Sequence, residues 1–453
     1  MSLIDEKWEL LFDRYEIEKK VSESGLFYIT ADQIREYKEP RLMTKFDTRE
    51  SLPKVFGKKL GILPVTRGSY VIGDFDLYQD FPEQEMLSEN AADSCKDRID
   101  QVSNRVKRVY LPDGYETIDI NDIRSEAGAI NVMGITGILD DFLGGSNFRQ
   151  TVSGRMASGH FTCFVNPHGL KKEAGPAAFL PSGAHVPSRL EIQNSQVEID
   201  GGFENRESFA VLEGKNVVHG NFLVRQLYYP YRLWEQKLKK PVRPVFMVYS
   251  NNIFRLMEYE FTDLLHYNSI RLVQERLYSL EDTEITWEAL RAVWQQTQVK
   301  PEPDVTFIQA DSFEKVISLA EHLNDHAMTA AEIAEVFAFQ ERQSDYYFNA
   351  CRFLGLAEKR KDEDGYIRVH LTKQGKGVQK LRYKARQLEY VRLILEHEIF
   401  HELFGIVLQN GMIPDKREIC RRMEELRLCS PSLILRRSSS VVGWLRWMAG
   451  LTE

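Results

Sequence analysis

The stretch Val197-Glu-Ile-Asp-Gly-Gly-Phe-Glu204, followed after a short gap by Phe209-Ala-Val-Leu-Glu-Gly-Lys215, decides how this chain is read. An acidic residue, a turn and then Glu-x-Lys on an apolar run predict two neighbouring strands of a hairpin. Side chains alternate along a strand with period two, so Glu213 and Lys215 point to one face. Asp200, on the adjoining strand, brings a second carboxylate within reach. Two carboxylates can hold a hard divalent cation such as Mg²⁺, which prefers oxygen ligands and keeps several waters. An ammonium beside them can hold or help deprotonate a water attacking a phosphodiester.

The neighbouring sequence extends the pattern. Asn221-Phe-Leu-Val-Arg-Gln-Leu-Tyr-Tyr-Pro-Tyr-Arg232 contains a helix, Pro244-Val-Phe-Met-Val-Tyr249 is a buried strand, and Phe254 to Phe261 alternates. The predicted order is strand, strand, helix, strand, strand. Arg225, Gln226 and Arg232 on the helix suit contact with a negatively charged backbone. Upstream, Asp119 to Leu143 is predicted as one apolar helix opening this core, before strands at His160–Val165 and Glu191–Gln193. Glu126 on that helix is the candidate auxiliary acid. Arg155, just before the first of those strands, is a candidate phosphate contact.

The acid and Glu-x-Lys pair resembles the PD-(D/E)XK nuclease signature, although Ile199 stands where proline would open it. Glu-Gly-Lys-Asn followed by Arg-Gln-Leu-Tyr-Tyr-Pro-Tyr-Arg resembles a group of bacterial type II restriction endonucleases. The resemblance also takes in Thr151-Val-Ser-Gly-Arg155 and the C-terminal segments, covering the chain from about residue 118 onward. It implies a nuclease core of mixed sheet flanked by helices, with Asp200 and Glu213 as Mg²⁺ ligands. Lys215 would act on the water, and Gln226 would join them in the catalytic block. It further implies double-stranded DNA as substrate, cut to 5′-phosphate and 3′-hydroxyl ends. A cognate DNA methyltransferase would act in the same system. Because a DNA duplex is nearly two-fold symmetric, a homodimer with one active site per strand is expected.

Length and composition agree with a multidomain α+β or α/β protein. The chain has 453 residues, 43% hydrophobic and 28% charged, as ordinary globular proteins do. No run of 18 apolar residues and no signal-peptide pattern occurs, so a bacterial cytoplasmic protein with no membrane partner is expected. Five scattered cysteines without a C-x-x-C pair fit free thiols in a reducing compartment. The net charge of −8 is unevenly spread: residues 340–450 carry 21 Lys and Arg against 14 Asp and Glu. An acidic metal-binding part beside a basic part is compatible with a nucleic-acid partner.

Four domains are expected: 1–115, mixed and β-leaning, a possible DNA-recognition unit in which Arg41, Lys45, Arg49 and Arg67 could reach phosphates; 116–300, the nuclease core; 305–385; and 386–453. Lys300-Pro-Glu-Pro-Asp304 reads as a hinge. Helices at Phe313–Leu323, Ala330–Phe337 and Gln340–Gly355, then a hairpin around Asp362-Glu-Asp-Gly365, resemble a winged-helix domain. In such a domain the third helix enters the major groove, which nominates Arg342, Gln343, Ser344 and Tyr347. The last unit is helical and helix-turn-helix-like, with Arg436 and Arg437 as candidate backbone contacts. Two other readings stand beside the nuclease. One is a winged-helix DNA-binding regulator with an inactive nuclease core. The other is a zinc metalloprotease, because His397-Glu-Ile-Phe-His401 matches H-E-x-x-H, with two imidazoles on one helix face.

Overall fold

Four clusters of buried apolar side chains organise the computed structural model, which describes residues 3–82, 106–120, 123–170, 186–338 and 341–452. Cys95 and the whole polar stretch 85–105, which the sequence leaves unplaced, lie outside those residues.

The N-terminal unit contains α1 (Leu3–Tyr15), α2 (Ile17–Ser24), β1 (Leu26–Thr30), α3 (Ala31–Arg35), α4 (Pro40–Thr44), β2 (Leu60–Pro64), β3 (Ser69–Asp74) and β4 (Tyr78–Asp80). Three of these strands form an antiparallel sheet of order β1-β3-β2. Trp8, Leu11, Phe12 and Ile17 form a core with Ile29, Ile62 and Ile72 of that sheet, which makes the unit mixed. Thr30 closes a capping box with Gln33 at the start of α3, satisfying two terminal amides. β4 leaves this unit and pairs with a strand of the next one.

The central unit follows as β5 (Lys107–Arg108), α5 (Glu126–Ile135), α6 (Ile138–Leu143), β6 (Arg149–Ala157), β7 (His160–Val165), β8 (Ser188–Gln193), β9 (Gln196–Glu204), β10 (Phe209–Lys215), β11 (Asn221–Leu223), α7 (Arg225–Glu235), β12 (Val242–Ser250), β13 (Ile253–Phe261) and β14 (Ile270–Ser279). Its sheet has seven strands in the order β5-β14-β13-β12-β10-β9-β6. β10 and β12 run parallel, joined by the crossover through α7, while β9 and β10 are antiparallel. Two cores cover the two faces of this sheet, one containing α7 and the other α5 and α6. Coverage on both sides explains why β10 is buried along nearly its whole length instead of alternating.

Two expectations are corrected here. The single helix over 119–143 is two, because Thr136 ends α5 and Gly137 turns the chain with φ 72°. The strands at 160–165 and 191–193 pair with each other outside the main sheet. The strand beside β9 is instead β6, a polar edge strand interrupted by two register shifts. Its exposed, glycine-containing sequence hides the apolar alternation that would have announced it.

The remainder comprises α8 (Trp287–Gln296), α9 (Phe313–Asp325), α10 (Ala330–Val336), α11 (Glu341–Phe353), β15 (Ala357–Lys361), β16 (Ile367–Leu371), α12 (Lys373–Gln379), α13 (Tyr383–Leu395), α14 (Glu398–Asn410), α15 (Lys416–Glu425) and α16 (Pro431–Gly450). One continuous core runs from Ile285 to Ala449, so the boundary drawn at 385/386 falls inside it. Val217, from the loop after β10, is embedded in the same core. The tip of the β12–β13 hairpin is clamped there too. Glu321 of α9 accepts from Ser250 Oγ at 2.9 Å and Asn251 N at 2.9 Å, and Gln387 of α13 donates to Asn251 Oδ1 at 2.7 Å.

Candidate active site

The site forms where β9 and β10 part. Their ladder ends at Leu212 opposite Gly201, and one further step of that register sets Asp200 opposite Glu213. Beyond it β9 pairs with β6 and β10 with β12, so the two strands diverge. Asp200 fills the opening with its own side chain: Oδ2 accepts the Gly214 backbone N–H at 2.9 Å. That bond fixes the carboxylate beside Glu213 and leaves Oδ1 unclaimed among the described residues.

Glu213 is only 8% exposed. Its Oε1 accepts from Lys215 Nζ and from Gln226 Nε2, each at 2.5 Å. Burial is the main reason its carboxyl is pushed up to about 8; Lys215 pulls it down, while Asp200 and Asp47 push it further up. Burial works against charge on Lys215, but the carboxylates of Glu213, Asp47 and Glu126 outweigh it and hold the ammonium above the ordinary lysine range. The lysine is therefore a fixed cation, not a base that titrates near neutrality. Gln226 Oε1 is buried without a hydrogen-bond partner, an orphaned acceptor in the wall of the site.

Glu126 joins this group through close packing. A Cβ on Gly214 would meet Ile130 Cδ1 at 3.2 Å, so α5 lies tight against the sheet only because residue 214 lacks one. Glu126 is one turn earlier on the same helical face. Its carboxyl is raised chiefly by burial and also by Asp200, against the pull of Lys215 and a hydrogen bond from the Asn216 N–H.

Asp47, which sequence reasoning missed, comes from the N-terminal unit. The Leu223 N–H donates to Asp47 O at 2.9 Å, Asn221 Oδ1 accepts from Arg49 N at 2.7 Å, and Asn221 Nδ2 donates to Glu50 at 2.9 Å. With the β4–β11 pairing, these bonds make residues 47–50 a wall of the site. Asp47 sits in an irregular stretch between α4 and β2, where no periodicity marks a residue. His219 feels the same charges, its imidazole lowered to about 4 by burial and by Lys215 and Lys315.

The predicted nucleic-acid contacts divide sharply. Arg225 is half-buried at the start of α7, its guanidinium 5.8 Å from the centre of the Tyr229 ring. Arg232 is buried and donates to the carbonyls of Thr162 and Leu264 and to Tyr228 Oη, each at 2.9 Å; it is a structural residue and reaches no solvent-side partner. Arg155 is exposed but pairs with Glu198 at 3.3 Å. Ser344 and Tyr347 are buried, and Tyr347 Oη donates to Asp311 at 3.3 Å, so they face the core and not a groove. Gln343 is half-buried on the same helix, and the side chain of Arg342 lies outside the description. Arg437 is buried and donates to the Phe307 carbonyl, whereas Arg436 is exposed. Ser344 and Tyr347 lie with Phe348, Cys351 and Phe353 on the core-facing side of α11, while Arg352 stays exposed, a division that sequence alone does not reveal.

The H-E-x-x-H match does not assemble a zinc site. His397 is the extended residue capping α14, outside the helix, so it does not share a helical face with His401. Its Nδ1 lies 2.8 Å from Glu302, and its ring stacks on Phe353 at 3.7 Å. His401 Nε2 donates to the Trp294 carbonyl at 3.1 Å. Among the described residues no group of three or more His, Cys, Asp or Glu converges as a metal cage. Asp200 and Glu213 instead offer the two-carboxylate, all-oxygen set that suits Mg²⁺ with waters completing its shell.

Three domain families of unknown function match successive parts of the chain: DUF6996 over residues 5–72, DUF6997 over 73–279 and DUF7226 over 315–453. The second contains every residue of the candidate site except Asp47. No curated protein and no solved structure matches the chain. The protein is of mixed α+β class, and among the described residues no helix is long and apolar enough to cross a membrane.

Proposed function

We propose that this protein is a Mg²⁺-dependent, site-specific endonuclease of double-stranded DNA, built on a PD-(D/E)XK core and acting in a bacterial restriction system. The observation that carries the reading is the convergence of Asp200, Glu213 and Lys215 where β9 and β10 separate. Support also comes from chain order: α5 and α6, then β6, β9 and β10, the α7 crossover, and β12 parallel to β10. The sequence predicted the part of this order that runs strand, strand, helix, strand from residue 197 to 249.

Asp200 Oδ1 and Glu213 Oε2 are the carboxylate oxygens left to hold the cation. The orphaned Gln226 Oε1 supplies a neutral acceptor for a water of its shell. Bound there, Mg²⁺ would polarise the phosphodiester and acidify the attacking water. Lys215, permanently charged, orients that water and offsets charge building on the phosphoryl oxygens. Gln226 keeps Glu213 in place, and Glu126, with its raised carboxyl, is the residue suited to accept or return a proton beside Lys215. A homodimer cutting both strands, a partner methyltransferase and a cytoplasmic location belong to the same reading. The succession of α9, α10 and α11 with the β15–β16 hairpin supports a winged-helix reading of this segment, and the core-facing Ser344 and Tyr347 suit a scaffold.

The test is incubation of purified protein with long unmethylated DNA, with Mg²⁺ and with EDTA. Discrete fragments that disappear in EDTA are expected; intact DNA under both conditions would remove the nuclease reading.

A further inference from the structure

Ser344 and Tyr347, nominated on α11 as groove readers, face the core, and another element presents a more exposed polar stripe. We infer that α15 and α16 form a helix-turn-helix whose exposed face docks on duplex DNA, with the N-terminal half of α16 in the major groove. This assignment rests on the endonuclease reading for its substrate and adds the surface that recognises it.

The two helices pack against each other and against α14, joined by residues 426–430. The second half of α16 is anchored, with Val441, Trp444, Leu445 and Met448 fully buried in the core. Its first half is different. Ser432, Leu435, Arg436 and Ser439 fall at i, i+3, i+4 and i+7, one stripe of the helix, and all but the half-buried Ser439 are exposed. Leu435 is 68% exposed, next to the buried Ile434. Short hydroxyls, one arginine and one apolar side chain are the groups that read base edges and thymine methyls.

Charge complementarity argues for a polyanion beside this stripe. Lys416 and Arg417 occupy the first turn of α15, where the helix dipole disfavours cations. Arg427, in the turn, holds φ 53°, a conformation easier for glycine or asparagine. Neither Arg417 nor Arg427 makes an ion pair among the described residues, and both are exposed. Stability alone favours neither placement; contact with phosphates flanking a recognition helix accounts for both.

The test is binding of the full chain to a labelled linear plasmid fragment in EDTA across a KCl series. Arg417→Ala/Arg427→Ala should lower the slope of log affinity against log salt by about 2, from two lost phosphate contacts, and the double lysine variant should restore it. Ser432→Ala/Leu435→Ala should change which fragments are bound while leaving the slope in place. An unchanged slope in the alanine pair, or equal affinity for duplex RNA, would overturn the assignment. DNA binding that follows these variants without Mg²⁺-dependent cutting would retire the endonuclease reading alone. Cleavage and binding indifferent to them would retire this surface alone.

Discussion

Gln226 donates to Oε1 of Glu213 at 2.5 Å, the same oxygen that Lys215 engages at 2.5 Å. The crossover helix α7 thus holds the strand carboxylate from one side while the strand's own lysine holds it from the other. One oxygen is saturated, and the second makes no hydrogen bond among the described residues.

Gln226→Leu should therefore raise the Mg²⁺ concentration needed for cleavage about 10- to 100-fold, the usual cost of removing a residue that orients a ligand. DNA affinity in EDTA should be unchanged. The check is a cleavage-rate titration against Mg²⁺, and superimposable curves would show that the glutamine only packs.

On the endonuclease reading, in which the ammonium acts at the water and not in docking, Lys215→Ala should abolish cleavage and leave DNA affinity close to wild type. Gel cleavage assays paired with a binding measurement decide it. Undiminished cutting by the variant would remove Lys215 from the chemistry.

The raised Glu213 carboxyl gives the metal-free protein a pH dependence of known sign. The folded state keeps a proton that the unfolded chain releases above its ordinary value of 4.5, so stability falls as pH rises toward about 8. His219 acts oppositely: the unfolded imidazole gains a proton below 6.5 that the folded one resists down to about 4, so stability falls as pH drops through that window. Between about pH 6.5 and 8 the Glu213 effect stands clear. Melting temperature in EDTA should decline across it, Glu213→Gln should flatten the decline, and Mg²⁺ should oppose it. A decline that persists in the glutamine variant would place its origin elsewhere.

Gly214→Val would drive a branched side chain into Ile130 and Met247, which a Cβ alone would approach at 3.2 and 3.4 Å. A destabilisation of roughly 1–3 kcal/mol is expected from overpacking. Activity should fall further than stability alone explains, because α5 carries Glu126. Urea midpoints and cleavage rates on the same preparations separate the two effects.

Asn251→Ala should loosen the catalytic sheet from the helical half. Asn251 adopts φ 54°, and its side chain satisfies Arg386 at 3.0 Å and Gln387 at 2.7 Å inside the contact. Alanine leaves the buried guanidinium short of an acceptor, at a cost of roughly 2–4 kcal/mol. Limited proteolysis near residues 297–312 should accelerate; unaltered digestion would mean the contact is not what holds the halves together.

Much of this architecture was legible because local signals agreed with the fold. The 197–215 hairpin, the α7 crossover and the Thr329 cap with Glu332 each announce themselves in a few adjacent residues. Glu126 was legible as well, as an acid at a helix start upstream of the hairpin. What sequence concealed was tertiary. Asp47 reaches the site because its own carbonyl accepts from Leu223 while its neighbours Arg49 and Glu50 bond to Asn221, all more than 170 positions away, and no local pattern encodes that. Arg232 and Arg437 look like surface cations, yet each ends on buried carbonyls. His397 matches a motif letter for letter but stands one residue outside its helix.

Val217, two residues beyond Lys215, is rooted in the core of the C-terminal half. A chimera that exchanged residues 300–453 for those of a relative would thus alter the packing beneath Lys215. On the endonuclease reading, new target preferences should arise by gradual co-substitution across this seam, with wholesale module exchange selected against. Lineages that diverge in sequence preference should carry matched changes at Val217 and in the pocket that receives it.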